Sequence, residues 1–174
     1  MKKILLVGAT GTLGSAVAQH LRQRHQVITA SRSDPLHRVD LASDDSVSAL
    51  LQAVGPLDAI VATTGSVHFG PVTEMSPAQF TQGMHDKLLG QVRLALLGQH
   101  HLRDGGSITL TTGILTEQPI AQGASATSVN AAIEGFVRAA ALELPRSLRI
   151  NAVSPSVLSE ALDRFAGHGL TAPE

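Results

Sequence analysis

A glycine-rich turn near the amino terminus places the strictest constraint on how this chain folds. Four apolar residues, Ile4 to Val7, run into Gly8-Ala9-Thr10-Gly11-Thr12-Leu13-Gly14, after which Leu13, Val17 and Leu21 recur at helical spacing. The short apolar run is typical of a strand buried on both faces. Glycines let the backbone approach a diphosphate closely, and the following helix points free N–H groups at it. The motif predicts a strand–turn–helix unit that binds a dinucleotide; the alternative is a tight turn that binds nothing.

The remainder of the chain alternates between strand and helix patterns. Strands are predicted over 26–30, 57–62, 107–111 and 149–153, with a short one beginning at Val39. Helices are predicted over 12–24, from a cap at Ser43 or Asp44 through Val54, over 77–101 with a bend near Gly83 or Gly90, and over 124–144 and 157–165. This alternation predicts one α/β domain over 1–174, a doubly wound, Rossmann-like parallel sheet with helices on both faces. Ligands bind such a sheet beyond the carboxyl ends of its strands.

Composition excludes several classes of partner and chemistry. The net charge is −1 with no cluster of Lys and Arg, so no nucleic-acid partner is expected. The apolar run after Lys2-Lys3 stops at Gly8, too short for a membrane span, and no membrane partner is expected. The chain has no cysteine, which fits a cytoplasmic location. Its eight histidines show no ligand spacing with acids, so we predict no metal site.

The end of the second strand indicates which dinucleotide is bound. An acidic residue there would select NAD, but the sequence reads Ser31-Arg32-Ser33. A guanidinium pairs with a 2′-phosphate in bidentate fashion, so the sequence favours NADP(H) over NAD. The alternative is a surface arginine and an unconstrained cofactor. Asp40 and Leu41 are expected to meet the edge and face of the adenine.

Taken in order, the motifs resemble those of the short-chain dehydrogenase/reductase family. The matching segments are Gly8–Gly14, Asp40-Leu41, Ala62-Thr63-Thr64-Gly65, and residues 106–113, 134–144 and 149–155. The resemblance implies a small carbonyl or alcohol substrate, and a homodimer or homotetramer built on the two long helices. The expected cofactor-binding residues are Gly8, Thr10, Gly11, Thr12, Leu13, Gly14, Ser31, Arg32, Asp40, Leu41, Ala62, Thr63, Thr64 and Gly65.

The catalytic positions implied by the resemblance hold other residues. Ala126 and Asn130 stand where the family has the tyrosine and lysine of its Tyr-x-x-x-Lys pair, and the chain has no tyrosine. The family's serine aligns with Gly113 or, with a shift of one residue, Thr112, and its asparagine aligns with Lys87. Loss of a general acid or base typically costs about 10²–10⁴ in rate.

Three residues remain as candidates for catalysis. Thr112 is expected to polarise the substrate oxygen, unless its hydroxyl bonds the backbone at the strand end. Lys87 would replace the missing lysine from another helix or act as an acid itself; otherwise it is a solvated lysine paired with Asp86. Asn130 would hydrogen bond a ribose hydroxyl.

Two functions are therefore open. The first is an atypical NADP(H)-dependent oxidoreductase that transfers hydride to or from a small carbonyl or alcohol. The second is a protein that binds NADP(H) as a sensor or structural component without catalysis. Because little sequence follows Ser156, the resemblance also implies that the family's seventh strand and much of its substrate lid are missing.

Overall fold

A computed structural model describes residues 1–159, and all but the first three residues of the helix predicted over 157–165 lie outside that range. Five strands alternate with helices in the predicted order. The strands are β1 (Lys3–Val7), β2 (Gln26–Ala30), β3 (Leu57–Ala62), β4 (Leu102–Thr111) and β5 (Arg149–Val153). The helices are α1 (Thr12–Leu21), α2 (Asp44–Val54), α3 (Pro77–Gly83), a π-helix (Met84–Leu89), α4 (Gly90–Gly98), short 3₁₀ turns at Gln99–His101 and Ile114–Thr116, and α5 (Ala124–Ala140).

The strands form one parallel sheet in the order β2-β1-β3-β4-β5. Ile60 of β3 lies opposite Leu5 of β1 and Ile108 of β4. The chain changes direction across the sheet between β1 and β3, and a ligand cleft is expected at such a switch point. The predicted doubly wound α/β fold is confirmed.

Apolar residues of the central strands form the core. Leu5, Ile60 and Ile108 have no exposed surface, as expected for a parallel sheet covered on both faces. Helices α2, α4 and α5 pack in a row, with α4 in the middle. Since β1-α1-β2 runs across the sheet in the opposite sense to the later crossovers, right-handed connections place α1 on the other face. Within residues 1–159, no helix combines the length and apolarity needed to cross a bilayer.

Some element bounds differ from the sequence prediction. Val39 is buried but begins no strand: the segment forms only an isolated bridge between Ser31 and Arg38. Helix α5 ends at Ala140 rather than 144, five residues before Pro145, which cannot continue a helix. Between Gly83 and Gly90, the two glycines at which the sequence predicts a bend, the helix changes to a π-helical segment.

Candidate cofactor-binding and active site

A cleft of about 450 Å³ opens at the carboxyl ends of β1 and β3, where the topology predicts a ligand. Most of the expected cofactor-binding residues line it, whereas Thr12, Leu13, Gly14 and Ala62 lie outside the lining. The cleft is lined by Val7, Gly8, Thr10, Gly11, Ser31, Arg32, Ser33, Val39, Asp40, Leu41, Ala42, Thr63, Thr64, Gly65, Ser66, His85 and Asp86.

The three glycines of the first turn serve different purposes. Gly8 has φ +95°, and a Cβ there would lie 2.7 Å from the carbonyl oxygen of Thr63. A Cβ on Gly14 would lie 2.1 Å from the carbonyl oxygen of Gly8. Among the described residues, a Cβ at Gly11 would have one neighbour within 4 Å, that same oxygen at 3.6 Å, so the space above Gly11 is open. Gly8 and Gly14 let the turn close on itself, and Gly11 leaves room for a ligand.

Helix α1 begins at this turn without a side-chain cap. By contrast, Ser43 caps α2 by accepting from the backbone N–H of Ser46, and Ser76 forms a capping box with Gln79 at the start of α3. Among the described residues, the first N–H groups of α1 therefore have no side-chain cap, and they form the positive end of the helix dipole. Beside the open face of Gly11, this arrangement fits a diphosphate.

The loop after β2 forms the other end of the cleft. The side chain of Arg32 is exposed and takes no part in the ion pairs of residues 1–159. Ser31 and Ser33 flank it, with their hydroxyl oxygens 3.4 Å apart. Asp34 shapes the loop by accepting from the backbone N–H groups of Leu36 and His37, each at 2.9 Å. Although burial opposes the shift, these bonds hold the pKa of Asp34 below its usual value.

The wall between these two ends is fixed by the backbone. Asp40 accepts from the N–H of Ala42 at 2.9 Å, while the guanidinium of Arg93 donates to the carbonyl oxygen of Leu41. Thr63 donates its N–H to the carbonyl oxygen of Val7 at 2.9 Å. The hydroxyl oxygen of Thr64 is buried with no hydrogen-bond partner among the described residues, which leaves it for a ligand. A nicotinamide dinucleotide fits this set of groups.

The three candidate catalytic residues meet at the end of β4. The ammonium of Lys87, from the π-helix, donates to the carbonyl oxygen of Thr112 at 3.0 Å and to Oδ1 of Asn130 at 2.7 Å. The backbone of Gly65, at φ +117°, packs against the side chain of Lys87, and a Cβ at Gly65 would lie 2.4 Å from the Cγ of Lys87. Asp86 instead accepts from the hydroxyl of Ser66 at 2.7 Å. The π-helix, a distortion frequent at functional sites, thus carries the lysine that reaches α5.

Thr112 contacts Lys87 through its backbone rather than its side chain. The residue is 4% exposed, and its hydroxyl donates to the carbonyl oxygen of Val153 at 3.3 Å. A side chain at Gly113 would meet Nδ2 of Asn130 at 2.9 Å. Polarisation of a substrate oxygen by the Thr112 hydroxyl stays a prediction, and the geometry shown here matches the alternative of a strand-end hydroxyl bonded to backbone.

Gln91 is a site residue that the sequence analysis missed. It is fully buried on α4, one turn after Lys87. Its amide nitrogen donates to the carbonyl oxygens of Thr64 at 3.1 Å and Thr111 at 2.9 Å, and its amide oxygen accepts from the N–H of Thr111 at 2.9 Å. Gln91 therefore ties the cleft wall after β3 to the end of β4. A polar residue among the apolar positions of α4 was the available signal.

Burial alters the acid–base behaviour of Lys87. It lowers the pKa of the ammonium from 10.5 to about 8, because partial removal of water disfavours the charged form. The two oxygen acceptors are uncharged, so neither neutralises the cation. Lys87 can therefore release and regain a proton under mildly alkaline conditions.

We expect Lys87 to make the stability of the protein depend on alkaline pH. The folded-state pKa lies below the unfolded value, so between about pH 8 and 10.5 the unfolded chain binds more protons. Compared with Lys87→Met, the wild type should gain up to about 3 kcal/mol in free energy of unfolding as pH rises through this range. Urea denaturation of both proteins at several pH values measures the difference. If the difference in free energy of unfolding between the wild type and Lys87→Met does not vary with pH, the lowered pKa of Lys87 is contradicted.

Comparison with known proteins identifies the family. A family model described as "Enoyl-(Acyl carrier protein) reductase" matches residues 8–169. The chain belongs to the short-chain dehydrogenase/reductase family.

Two solved structures are similar to this chain in both fold and sequence. The protein lin1944 from Listeria innocua is 47% identical with a TM-score of 0.95, over 99% of this chain and 87% of that one. A small-chain dehydrogenase in complex with NADPH is 30% identical with a TM-score of 0.84, over 95% of this chain and 78% of that one.

Among curated relatives, versicolorin reductase stcU of Emericella nidulans is 28% identical over 90% of this chain. The hydroxynaphthalene reductase-like protein Arp2 of Metarhizium brunneum is 29% identical over 80% of it. This chain spans 69% of the length of the first protein and 55% of the second.

Proposed function

We propose that this protein is an NADP(H)-dependent oxidoreductase that transfers hydride between the nicotinamide and a small carbonyl or alcohol. The observation that supports this most is a cleft that joins the open glycine turn at Gly11 to the loop that carries the exposed side chain of Arg32. The relative solved in complex with NADPH supports the same cofactor. The family's activity as an oxidoreductase supports the reaction class.

Each part of the cleft has a task in this proposal. The N–H groups at the start of α1 bind the diphosphate, and Arg32 with Ser31 binds the 2′-phosphate. Asp40 and Leu41 flank the adenine. When bound, the nicotinamide supplies or accepts the hydride. The chain must then hold the substrate oxygen and manage its proton. The candidates are Lys87, Thr112 and Asn130, which meet at the end of β4 and are not among the residues that line the cleft.

Replacement of Arg32 should separate the two dinucleotides. We expect Arg32→Ala to weaken NADPH binding by about 10- to 100-fold, because a charge-assisted bond to the 2′-phosphate is lost. NADH, which lacks that phosphate, should change by less than about 3-fold, within the range of a surface substitution. Calorimetric titration of both dinucleotides measures this. Arg38→Ala, an exposed arginine outside the cleft lining, is the control; equal losses of NADPH and NADH affinity in Arg32→Ala would refute the assignment.

A turnover screen tests the reaction itself. NADPH binding is first measured by fluorescence, and aldehydes, ketones and quinones are then screened for loss of nicotinamide absorbance. The proposal predicts saturable binding and oxidation of NADPH with at least one carbonyl class. Binding without any turnover would instead favour the second function below.

The second candidate is a protein that binds NADP(H) as a sensor or structural component and catalyses no reaction. It is favoured by the position aligned with the family's tyrosine: Ala126 is 1% exposed and offers no acid, and the chain has no tyrosine. The same cleft serves both functions, so cofactor binding does not separate them. Turnover does.

We also propose that the protein self-associates as a homodimer or homotetramer. The supporting observation is two leucines on the helical segment before β4, Leu89 and Leu96, with 43% and 49% of their surface exposed. Exposed leucines on one long helical segment suit an interface between identical subunits. A cytoplasmic location likewise stays a proposal from the cysteine-free sequence.

A further inference from the structure

Lys87 and Asn130 hold the site's cation and amide in an unexpected arrangement. By the resemblance, the family has an asparagine at the position of Lys87 and a lysine at the position of Asn130. Here the cation comes from the π-helix and the amide from α5, and the two side chains are hydrogen bonded at 2.7 Å. The exchange therefore concerns two residues that touch, although 43 positions separate them in sequence.

The amide of Asn130 is oriented so that its oxygen accepts a hydrogen bond from the ammonium of Lys87. Its Nδ2 donates to the carbonyl oxygen of Gly113 at 3.4 Å, which leaves Oδ1 facing Lys87. A lysine at position 130 would instead bring two ammonium groups together, and each would disfavour the other's charge. An acceptor at 130 is thus what a lysine at 87 requires.

Within residues 1–159, the ammonium of Lys87 has one N–H group without an acceptor. Of its three N–H groups, the carbonyl oxygen of Thr112 and Oδ1 of Asn130 take two. The ion pairs of residues 1–159 do not include Lys87. A half-buried cation without a counter-ion is stabilised by any further oxygen acceptor that reaches it. The hydroxyl of Thr112 donates to Val153, and Asn130 carries an amide, so among the three candidate residues Lys87 is the proton donor.

We propose that Lys87 and Asn130 form one exchanged unit, in which Lys87 binds and protonates the substrate carbonyl oxygen and Asn130 positions its ammonium. This inference rests on the proposed function. A reduced nicotinamide held in the cleft would supply the hydride for the new C–H bond, and the π electrons of the carbonyl would move to its oxygen. Lys87 gives that oxygen a proton, so an O–H bond forms and an N–H bond breaks. Water then returns a proton to the neutral amine, and the reverse sequence oxidises an alcohol.

Several titratable groups lie on the elements around Lys87, and the test must separate them from Asn130. They are His85 and Asp86 on its own segment, His68 after β3, Glu117 after β4 and Glu134 on α5. Asp86 is bonded to Ser66, and Glu134 accepts from the hydroxyl of Thr116. The sharpest variant is Asn130→Asp, which keeps the shape of the side chain and adds one charge beside the ammonium.

Lysine NMR tests the contact without any cofactor. The chain has three lysines, Lys2, Lys3 and Lys87, so ¹³C-lysine labelling gives three titrating signals. In Asn130→Asp we expect the Lys87 pKa to rise by about one unit or more, because an opposite charge favours the ammonium. Lys2 and Lys3 are internal controls, and Asn151→Asp places the same charge at an exposed position. An unchanged Lys87 pKa in a folded Asn130→Asp protein would overturn the positioning role of Asn130.

Kinetics test the catalytic role of Lys87. We expect Lys87→Asn to lower kcat by about 10²-fold or more, the usual loss when a proton donor is removed. The alkaline limb of the wild-type pH–rate profile should disappear with it. The double variant Lys87→Asn/Asn130→Lys restores the pairing in the opposite order, and we expect it to exceed the single variant by about 10-fold or more. Circular dichroism melting confirms that each variant is folded.

The outcomes distinguish this inference from the proposed function. If the wild type turns over a carbonyl substrate and folded Lys87→Asn does so equally well, the inference that Lys87 and Asn130 act as one unit is wrong. The proposed oxidoreductase function would still hold. A folded double variant no better than Lys87→Asn also counts against the unit. If the wild type binds NADPH but reduces nothing, the oxidoreductase and the catalytic role of Lys87 fail together. The NMR titration still decides whether Asn130 positions the ammonium.

Discussion

The variant Gly14→Ala is expected to unfold far more readily than the wild type. Its new methyl group would lie 2.1 Å from the carbonyl oxygen of Gly8 and 2.7 Å from the hydroxyl of Thr63. The first contact is with backbone at the junction of β1 and α1, where no flexible side chain can give way. Overpacking commonly costs about 1–3 kcal/mol, and a backbone overlap of this size belongs at or above the upper end. Chemical denaturation measures the loss.

Gly11→Ala is the matched control within the same turn. Within the part of the chain that the structure describes, a Cβ there meets only the carbonyl oxygen of Gly8, at 3.6 Å, so the free energy of unfolding should change by less than about 1 kcal/mol. The methyl group enters the space expected for the diphosphate, and NADPH affinity should fall by about 10-fold or more through lost close approach. Equal stability of Gly14→Ala and the wild type would contradict the packing argument, and unaltered NADPH affinity in Gly11→Ala would contradict the diphosphate site.

The second large effect is expected at Gln91. Gln91→Leu removes three hydrogen bonds and leaves the N–H of Thr111 buried without its acceptor. Each buried group left unsatisfied costs about 1–3 kcal/mol, so we expect a total loss of about 3 kcal/mol or more. NADPH affinity should fall as well, because Thr64 lines the cleft and its carbonyl oxygen would lose the hydrogen bond from Gln91 that holds it in place. Denaturation and calorimetry measure the two effects.

Two further variants sharpen the test at this position. Gln91→Glu keeps the shape but turns a carboxylate oxygen toward the two carbonyl oxygens, so it should destabilise at least as much as Gln91→Leu. Gln82→Leu changes an exposed glutamine of α3 and should stay within about 0.5 kcal/mol of the wild type. A Gln91→Leu protein as stable as Gln82→Leu would show that the three hydrogen bonds of Gln91 contribute nothing to the free energy of unfolding.

Local patterns in the sequence were sufficient to predict most of the fold. The strand run ending at Val7, the glycine turn and the helix after Pro77 each reflect rules that act within a few residues. Val39 is one exception, because its burial comes from packing in the core, and its backbone N–H donates to Ser31, beyond the end of β2, rather than to a strand. The sequence predicts a bend near Gly83 or Gly90, but it does not predict the π-helical segment between them, since no residue type specifies one.

The site was predicted less completely, because its bonds join distant segments. Lys87 was identified as a replacement cation from its alignment with the family, and the structure brings it to Asn130. The contact itself depends on where the π-helix and α5 pack, which periodicity does not encode. The hydrogen bonds of Gln91 are a similar case. A buried glutamine indicates that hydrogen-bond partners exist, and only the fold shows that Thr64 and Thr111 supply them.

The central claim is that the cleft binds NADP(H), with backbone N–H groups at the diphosphate and Arg32 at the 2′-phosphate. Calorimetric titration of the unmodified protein with NADPH and with NADH tests it most directly. We predict saturable heat for NADPH and an affinity for NADH at least about 10-fold weaker, the difference expected from one charge-assisted phosphate contact. Absence of heat from both dinucleotides at millimolar concentration would contradict the account.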